Sequence, residues 1–224
     1  MREQCPEVTT VVQNINPTFT SAVLGNREKI LYGKGYISDT LCGMNFRISP
    51  TSFYQVNPDQ TQVLYETALK LAGIRKGESV LDTYCGTGTI GLIASKQAKN
   101  VVGVEINSHA VKDAIVNAKI NKAANIRFVC ADAEKFMLQT ARERRNFDCV
   151  IMDPPRSGST RSFMDALGKM KPSKVLYISC NPETQVRDIR YLQKYGYKVQ
   201  VIQPVDLFPH TEHTECIVML KREH

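Results

Sequence analysis

Cys180 stands where a predicted strand ends and a predicted helix begins, in the stretch LYISCNPETQ. A cysteine on an apolar strand is usually a small buried side chain. Here its position favours reactivity, because the amino terminus of a helix starting near Pro182 would lower the pKa of the thiol. The neighbouring Asn181 is polar and could orient a substrate ring. Cys180 is therefore a candidate nucleophile, whereas Cys130 and Cys149 have the pattern of interior strand residues.

A carboxylate opens the last predicted strand of the chain. Glu215 precedes the apolar run Cys216–Leu220, and from that end it can face the edge where Cys180 lies. Burial there would raise the pKa of the carboxyl group and suit it to general-base work. The residues alone leave open a solvated acid at this position, and they do not decide whether His210 and His213 assist or are surface residues.

A glycine-containing turn follows an earlier strand, in the stretch DTYCGTGTIG that begins at Asp82. The spacing G-x-G-x-x-G is weak evidence alone, because a tight strand-to-helix turn needs glycine whatever it binds. Glu105 and Asp132 add to it, because they end the next two strands on the ligand-binding edge of such a sheet. Glu105 can accept both hydroxyls of a ribose there, and Asp132 the amino group of an adenine. These acids indicate a nucleoside cofactor, although strand-end acids also serve as helix caps.

The charge of Asp82 distinguishes two cofactors that fit the ribose argument. NAD would place its pyrophosphate at the start of the helix, where a carboxylate repels it. S-adenosylmethionine has no phosphate and carries an ammonium and a sulfonium group, which a carboxylate attracts. The sequence therefore favours S-adenosylmethionine, with Asp82, Gly86, Gly88, Glu105 and Asp132 as candidate binding residues.

Asp153 ends a further strand in the sequence DPPR. Two prolines after a strand make a rigid, extended exit. Enzymes that methylate amines often have an aromatic residue after Asp-Pro-Pro, which stacks on the target base; here Arg156 follows. This difference argues against simple amine methylation and leaves Arg156 free for a phosphate or a substrate carbonyl.

Strands alternate with helices from residue 57 onward, which predicts an α/β fold with a mostly parallel, Rossmann-like sheet of seven strands and helices on both faces. The predicted strands are Ser79–Thr83, Val101–Glu105, Arg127–Cys130, Asp148–Met152, Val175–Ser179, Lys198–Gln203 and Glu215–Leu220. The predicted helices span Asn57 to Gly73, Thr89–Lys96, Ser108–Asn121, about Ala133–Glu143, Ser162–Met170 and Pro182–Lys194. The connector Pro204–Thr214 is short for a helical crossover, so the last strand is predicted to be antiparallel.

Residues 1–50 have a different pattern, with β-prone pieces at Thr9–Gln13 and Ala22–Leu24 punctuated by glycines. They predict short strands and no helix of useful length. We therefore expect a β-rich segment over residues 1–50, which precedes an α/β domain over residues 51–224.

The composition fits one large domain, since 42% of the 224 residues are hydrophobic. The net charge of +7 is compatible with a phosphate-rich partner such as nucleic acid. No apolar run is long enough to span a membrane, and the first residues have no signal-peptide pattern. Seven cysteines without a CxxC pair indicate reduced thiols, and no metal-ligand spacing is present. We expect a cytoplasmic, monomeric protein without a metal.

Six stretches together resemble one family, the S-adenosylmethionine-dependent RNA 5-methyluridine methyltransferases, which modify transfer RNA and the large ribosomal RNA. The stretches are SFYQVNP (Ser52–Pro58), LDTYCGTGTIGL (Leu81–Leu92), GVEI (Gly103–Ile106), DPPR (Asp153–Arg156), YISCNP (Tyr177–Pro182) and FPHTEHTE (Phe208–Glu215). The resemblance covers about Phe46–Lys221. It implies the class I methyltransferase fold, S-adenosylmethionine as cofactor and RNA as partner, with ribosomal RNA as the first choice and transfer RNA as the second.

The resemblance also implies roles for single residues. By it, Cys180 adds to carbon 6 of uracil, which turns carbon 5 into an enolate-like nucleophile, and Glu215 removes the proton from carbon 5. The cofactor site implied in this way is lined by Gln55, Tyr84, Gly86, Glu105 and Asp153. The target base must be unstacked to enter the pocket, and Phe53, Tyr54 and Arg156 are candidates to hold it or its neighbours.

The chain departs from the family pattern at its start. Most members carry an amino-terminal RNA-binding barrel, often followed by a four-cysteine iron–sulfur segment, and Cys5 and Cys42 do not reproduce that spacing. We therefore expect an excised catalytic domain with a remnant of the middle region. Two alternatives stay open: a cytosine carbon-5 RNA methyltransferase, whose Asp-Pro motif usually continues into a second cysteine that DPPR lacks, and a non-catalytic module that holds cofactor or RNA.

Overall fold

The computed structural model of the chain describes residues 4–17, 24–25 and 27–223. Its first elements are two antiparallel hairpins. They consist of β1 (Thr10–Ile15) with β2 (Arg27–Gly33), and of β3 (Ile37–Leu41) with β4 (Met44–Ile48). The predicted piece Ala22–Leu24 lies outside the described residues except for Leu24, which precedes β2 and is not in a strand.

The large sheet has seven strands in the spatial order β10-β11-β9-β8-β5-β6-β7. Their bounds are β5 (Ser79–Thr83), β6 (Asn100–Glu105), β7 (Ile126–Cys130), β8 (Cys149–Met152), β9 (Lys174–Ser179), β10 (Tyr197–Val205) and β11 (Glu215–Arg222). Strands β5 to β9 pair in parallel, and β11 is antiparallel to both β9 and β10. The predicted fold class is confirmed, including the antiparallel last strand.

Six helices flank this sheet in the residues that the structure describes. They are α1 (Pro58–Ala72), α2 (Thr89–Ser95), α3 (Ser108–Ile120), α4 (Ala133–Arg142), α5 (Arg161–Met170) and α6 (Pro182–Gln193). Helices α1 to α3 contribute to the core on one face of the sheet, and α4 to α6 to the core on the other. In the described part of the chain, no helix has the length and apolar character needed to cross a lipid bilayer.

Helix α1 begins and ends as its sequence predicts. The side chain of Asn57 accepts a hydrogen bond from the backbone N–H of Gln60 at 3.2 Å, and Gly73 closes the helix with a φ of 52°. The buried positions recur every three or four residues and are Thr61, Leu64, Tyr65, Ala68, Leu69 and Ala72. This face turns Tyr65 toward the carboxyl edge of the sheet.

The β3–β4 hairpin packs against the same core as α1. Its buried side chains are Leu41, Met44, Phe46 and Ile48. Residues 37–48 therefore share a hydrophobic core with the sheet, while the expected division at residue 50 stays a prediction. The hairpin leads directly into the segment Ser52–Val56, which borders the candidate site.

Candidate active site

A cavity opens beside the carboxyl ends of β5 and β8. It lies between α1 and the loop that joins β5 to α2, residues 84–88, which we call the glycine-containing loop. Residues that the sequence singled out line much of it: Phe53, Tyr54, Gln55, Tyr84, Gly86 and Asp153. They come from three separate stretches of the chain, SFYQ, TYCG and DPPR. The fold therefore brings these predicted residues together in one cavity.

Tyr65 also lines this cavity, and sequence reasoning missed it. Burial raises the pKa of its hydroxyl well above the usual range, and the negative charge of Asp153 adds to the rise. The signal in the sequence was a polar hydroxyl at a core-facing position of α1. That signal is weak, because tyrosine also fits an ordinary hydrophobic core.

The glycine-containing loop places Tyr84 in the left-handed region, with a φ of 62°. This conformation costs a non-glycine residue about 1–2 kcal/mol, so its contacts must hold it. The Tyr84 hydroxyl lies 3.2 Å from the Oγ of Ser159, and its ring packs on Phe163 with centroids 5.7 Å apart. Strain held in this way is typical of functional sites.

The two glycines of the loop, Gly86 and Gly88, differ in what a side chain would meet at each position. A Cβ on Gly86 would meet no atom within 4 Å, so this position leaves open space beside the cavity. A Cβ on Gly88 would lie 2.6 Å from the ring of Phe128. The glycine at 88 is thus required by packing against β7, and its predicted contact with a cofactor stays a prediction.

Glu105 is tied to the glycine-containing loop. Its Oε2 accepts a hydrogen bond from the N–H of Gly86 at 3.0 Å, and its Oε1 accepts one from Asn107 at 2.8 Å. Each carboxylate oxygen keeps a further lone pair for a ribose hydroxyl. Asp132 caps α4, because its Oδ1 accepts from the N–H of Lys135 at 2.9 Å. Their roles toward a cofactor stay predictions.

Asp82 lies on β5 beneath the loop, where only 1% of its surface is exposed. Neither carboxylate oxygen has a hydrogen-bond partner of normal geometry within the described part of the chain. Burial and the charge of Asp153 raise its pKa well above the usual range, which the backbone N–H of Gly91 only partly offsets. An uncompensated buried carboxyl is costly, and a cationic ligand nearby would compensate it.

The register between β9 and β11 brings Cys180 and Glu215 together. Ser179 pairs with Cys216, Cys180 directly follows β9 and Glu215 is the first residue of β11, so both lie just beyond this pair, close enough for the charge of Glu215 to act on the thiol. Glu215 is 5% exposed, and burial raises the pKa of its carboxyl group, as its position in the sequence predicted. A thiol and a buried carboxyl group thus share one end of the sheet.

The expectation that helix α6 lowers the pKa of the Cys180 thiol is wrong. Burial raises that pKa above its ordinary value, and the charges of Glu215 and Asp153 raise it further. Arg156 acts in the opposite direction but does not outweigh them. The thiol therefore favours its protonated form, and neutralising either carboxylate would favour the reactive thiolate.

The Asn181 side chain caps α6 and holds the DPPR loop, and its predicted role in orienting a substrate ring stays a prediction. Its Oδ1 accepts from the N–H of Glu183 at 3.1 Å, which caps α6. Its Nδ2 donates to the carbonyl of Arg156 at 3.0 Å, and the hydroxyl of Thr184 donates to the same carbonyl at 3.1 Å. The first turn of α6 thus fastens the DPPR loop beside Cys180.

A second set of contacts holds the other end of that loop. Asp188 on α6 accepts hydrogen bonds from the N–H of Ser159 at 2.9 Å and the hydroxyl of Tyr177 at 2.8 Å. Arg187 donates to the carbonyl of Ser157 at 3.0 Å. These interactions leave the Arg156 side chain exposed, close enough for its charge to act on Cys180.

Of the remaining cysteines, Cys85 lines the cavity within the glycine-containing loop. Cys149 is buried as predicted, but Cys130 is exposed at the end of β7, so the prediction of an interior residue is wrong there. His210 and His213 are exposed between β10 and β11. Within residues 4–17, 24–25 and 27–223, no group of His, Cys, Asp and Glu could hold a metal ion.

Known RNA methyltransferases are similar to this chain in sequence. An uncharacterized RNA methyltransferase of Oceanobacillus iheyensis is 44% identical over 220 residues, which are 98% of this chain and 48% of the relative. The chain therefore spans about half the length of the curated relatives it matches. The family described as tRNA (Uracil-5-)-methyltransferase matches residues 13–223.

Solved structures agree with that match. The chain is similar to the tRNA (uracil-54, C5)-methyltransferase of Pyrococcus abyssi in complex with S-adenosyl-L-homocysteine, at 32% identity and a TM-score of 0.82, over 95% of this chain and 50% of that one. A SAM-dependent methyltransferase of Agrobacterium tumefaciens shares the fold alone, at 16% identity and a TM-score of 0.66, over 88% and 74% of the two chains. The chain belongs to the tRNA (Uracil-5-)-methyltransferase family.

Proposed function

We propose that this chain carries a catalytic site that transfers a methyl group from S-adenosylmethionine to carbon 5 of a uridine in RNA. The observation that carries the proposal is that Cys180 and the buried Glu215 flank the strand pair Ser179–Cys216, with Glu215 and Asp153 of the cavity wall both close enough to shift the pKa of the thiol. The similarity to the Pyrococcus abyssi enzyme, which is described as acting on uracil and holds S-adenosyl-L-homocysteine, supports the same reaction.

The residues of the cavity suit a cationic nucleoside cofactor. Gly86 leaves open space on the cavity side, and Glu105 next to it keeps lone pairs for ribose hydroxyls. Asp82 is buried and Asp153 is half-buried, and both carboxyl groups have raised pKa values. A positive charge nearby would stabilise their ionised form. When bound here, S-adenosylmethionine supplies an electrophilic methyl group.

The two catalytic side chains do complementary work on the uracil ring. The thiolate of Cys180 forms a bond to carbon 6, and the electron pair of the 5,6 double bond makes carbon 5 nucleophilic. After carbon 5 has gained the methyl group, Glu215 accepts its remaining proton. The bond between Sγ and carbon 6 then breaks, which restores the double bond and the thiolate.

Two exposed side chains are suited to hold the RNA. Phe53 lines the cavity while 75% of its surface is exposed, which fits an aromatic platform for an unstacked base or its neighbour. Arg156 is exposed beside Cys180 and can meet a phosphate or a uracil carbonyl. The net charge of +7 favours a polyanionic partner. We propose ribosomal RNA as the first substrate to test and transfer RNA as the second.

The test uses the complete product of the gene, labelled S-adenosylmethionine and total RNA from cells in which the gene is deleted. We expect label in 5-methyluridine when the digested nucleosides are separated, with the RNA fraction identifying the substrate. Label in 5-methylcytidine would favour the cytosine reaction, and no label in any pyrimidine would overturn the proposal. Cys5→Ala, which removes a partly exposed thiol that does not line the cavity, is the matched control for Cys180→Ala.

A further inference from the structure

Three polar residues along α3 and its carboxyl-terminal cap form a ladder against β4 and the residue that follows it. They are Asp113, Asn117 and the cap residue Asn121, four residues apart, and they bind Ser49, Arg47 and Asn45, which are two residues apart. Four helical residues rise about 6 Å and two strand residues span about 6.6 Å, so the spacing of the helix side chains matches the spacing of their strand partners. A helix face is thus matched to the free backbone edge of a strand.

The two asparagines bind the backbone of β4 as an additional strand would. Asn121 accepts from the N–H of Asn45 at 2.9 Å and donates to its carbonyl at 2.7 Å. Asn117 accepts from the N–H of Arg47 at 2.7 Å and donates to its carbonyl at 3.2 Å. Each side-chain amide therefore satisfies both polar groups of one strand residue.

The hydrogen bonds of Asp113 connect this ladder to the wall of the cavity. Asp113 is 3% exposed and accepts hydrogen bonds from the N–H of Ser49 at 3.0 Å and from the hydroxyls of Ser49 and Ser52 at 2.8 and 3.0 Å. Ser52 immediately precedes Phe53 and Gln55, which line the cavity. This carboxylate therefore fixes the point from which that wall departs.

Asn117 joins this wall to the opposite one. Besides its bonds to Arg47, its Nδ2 donates to the carbonyl of Thr87 at 3.1 Å, and Thr87 lines the cavity within the glycine-containing loop. Asn117 is fully buried, so no water competes for these bonds. One side chain thus sets the distance between β4, which leads to Phe53, and the glycine-containing loop.

We propose that Asp113 and Asn117 are positioning residues for the cofactor: they hold the two walls of the cavity at the separation that the nucleoside requires, without touching it. This inference rests on the proposed placement of the cofactor in this cavity. Asn121 performs the same chemistry at the far end of β4, remote from the wall, and serves as the internal comparison.

The test measures the dissociation constant of S-adenosylhomocysteine by calorimetry, together with the midpoint of urea unfolding. We expect Asp113→Asn and Ser52→Ala each to weaken binding, by roughly tenfold for loss of a hydrogen bond to a charged group. Asn121→Ala should lower the unfolding midpoint but leave binding within about twofold. If Asp113→Asn fails to fold, Ser52→Ala still tests the inference, because it removes one bond from a half-exposed loop residue.

If Asn121→Ala weakens binding of S-adenosylhomocysteine as much as Ser52→Ala does, the ladder has a general structural role and the inference is overturned. Unchanged binding in both Asp113→Asn and Ser52→Ala would overturn it as well. Glu105→Gln distinguishes the two levels of the argument. If binding is unchanged in Glu105→Gln as well as in Asp113→Asn and Ser52→Ala, the proposed placement of the cofactor is wrong. If Glu105→Gln weakens binding and the other two do not, the placement stands and the positioning role of the ladder is wrong.

Discussion

Cys180 and Glu215 flank the strand pair Ser179–Cys216, and the charge of Glu215 adds to burial in raising the pKa of the Cys180 thiol. Burial and the proposed base therefore both favour the protonated, slowly reacting form of the proposed nucleophile. Neutralising that carboxylate would remove the second of these causes and lower the thiol pKa. The reactivity of Cys180 is thus coupled to the protonation state of its neighbour.

This coupling predicts how the thiol reacts with iodoacetamide. Glu215→Gln removes a negative charge beside Cys180, so the thiol pKa falls and the fraction of thiolate at pH 8 rises. Alkylation of the Cys180 peptide, followed by mass spectrometry, should accelerate accordingly. The exposed Cys130 gives the internal reference rate. An unchanged ratio of the two rates would contradict the electrostatic coupling.

The same substitution should trap the RNA. With glutamine at position 215 no group accepts the proton from carbon 5, so the bond between Cys180 and carbon 6 cannot break. Denaturing gels should show a slowly migrating protein–RNA species that grows with time. Glu212→Gln, in the exposed connector before β11, is the matched control and should show none. If RNA still binds but the adduct does not accumulate, Glu215 is not the base.

Asp153 predicts the sign of a pH effect on stability. Burial, and next the charge of Glu215, raise its pKa from 3.8 to about 7, so folding favours the protonated form. The stabilisation is present below the unfolded pKa and is lost as pH rises toward 7, by at most about 1.4 kcal/mol per pH unit. Urea unfolding should show a shallower pH dependence for Asp153→Asn over this range. Identical slopes for both proteins would refute the raised pKa.

The charge of Asp153 also predicts how ligand preference changes with pH. S-adenosylmethionine carries a sulfonium, whereas S-adenosylhomocysteine has a neutral thioether in its place. Ionisation of Asp153 near pH 7 should therefore increase the affinity for S-adenosylmethionine relative to that for S-adenosylhomocysteine. Calorimetry at pH 6 and pH 8 measures the ratio. Asp153→Asn should make that ratio independent of pH, and a ratio that rises equally in the variant would assign the effect to another group.

The sheet could be predicted because its signals are local. Alternation of apolar runs with helical periods places β5 to β11, and caps such as Asn57 and Asn181 mark where helices begin. The grouping of Cys180, Glu215 and Asp153 at one edge follows from strand order, since parallel strands end on the same side.

The electrostatics of the site could not be predicted in the same way. The thiol pKa depends on Glu215, which is 35 positions further along the chain, and on how deeply the fold buries both groups. The helix terminus is visible in the sequence, but the opposing carboxylates are brought there by the register of β11. The contact between Asp113 and Ser49, 64 residues apart, likewise leaves no local pattern.

The central claim is that Cys180 forms a covalent bond to the target uracil, and RNA containing 5-fluorouridine tests it most directly. Fluorine cannot leave carbon 5 as a cation, so Glu215 has nothing to remove and the adduct persists after methyl transfer. Peptide mapping should find the cross-linked nucleotide on the peptide that contains Cys180. Cys180→Ala should yield no adduct while binding S-adenosylhomocysteine with unchanged affinity. An adduct on another cysteine, or wild-type turnover in Cys180→Ala, would contradict the account.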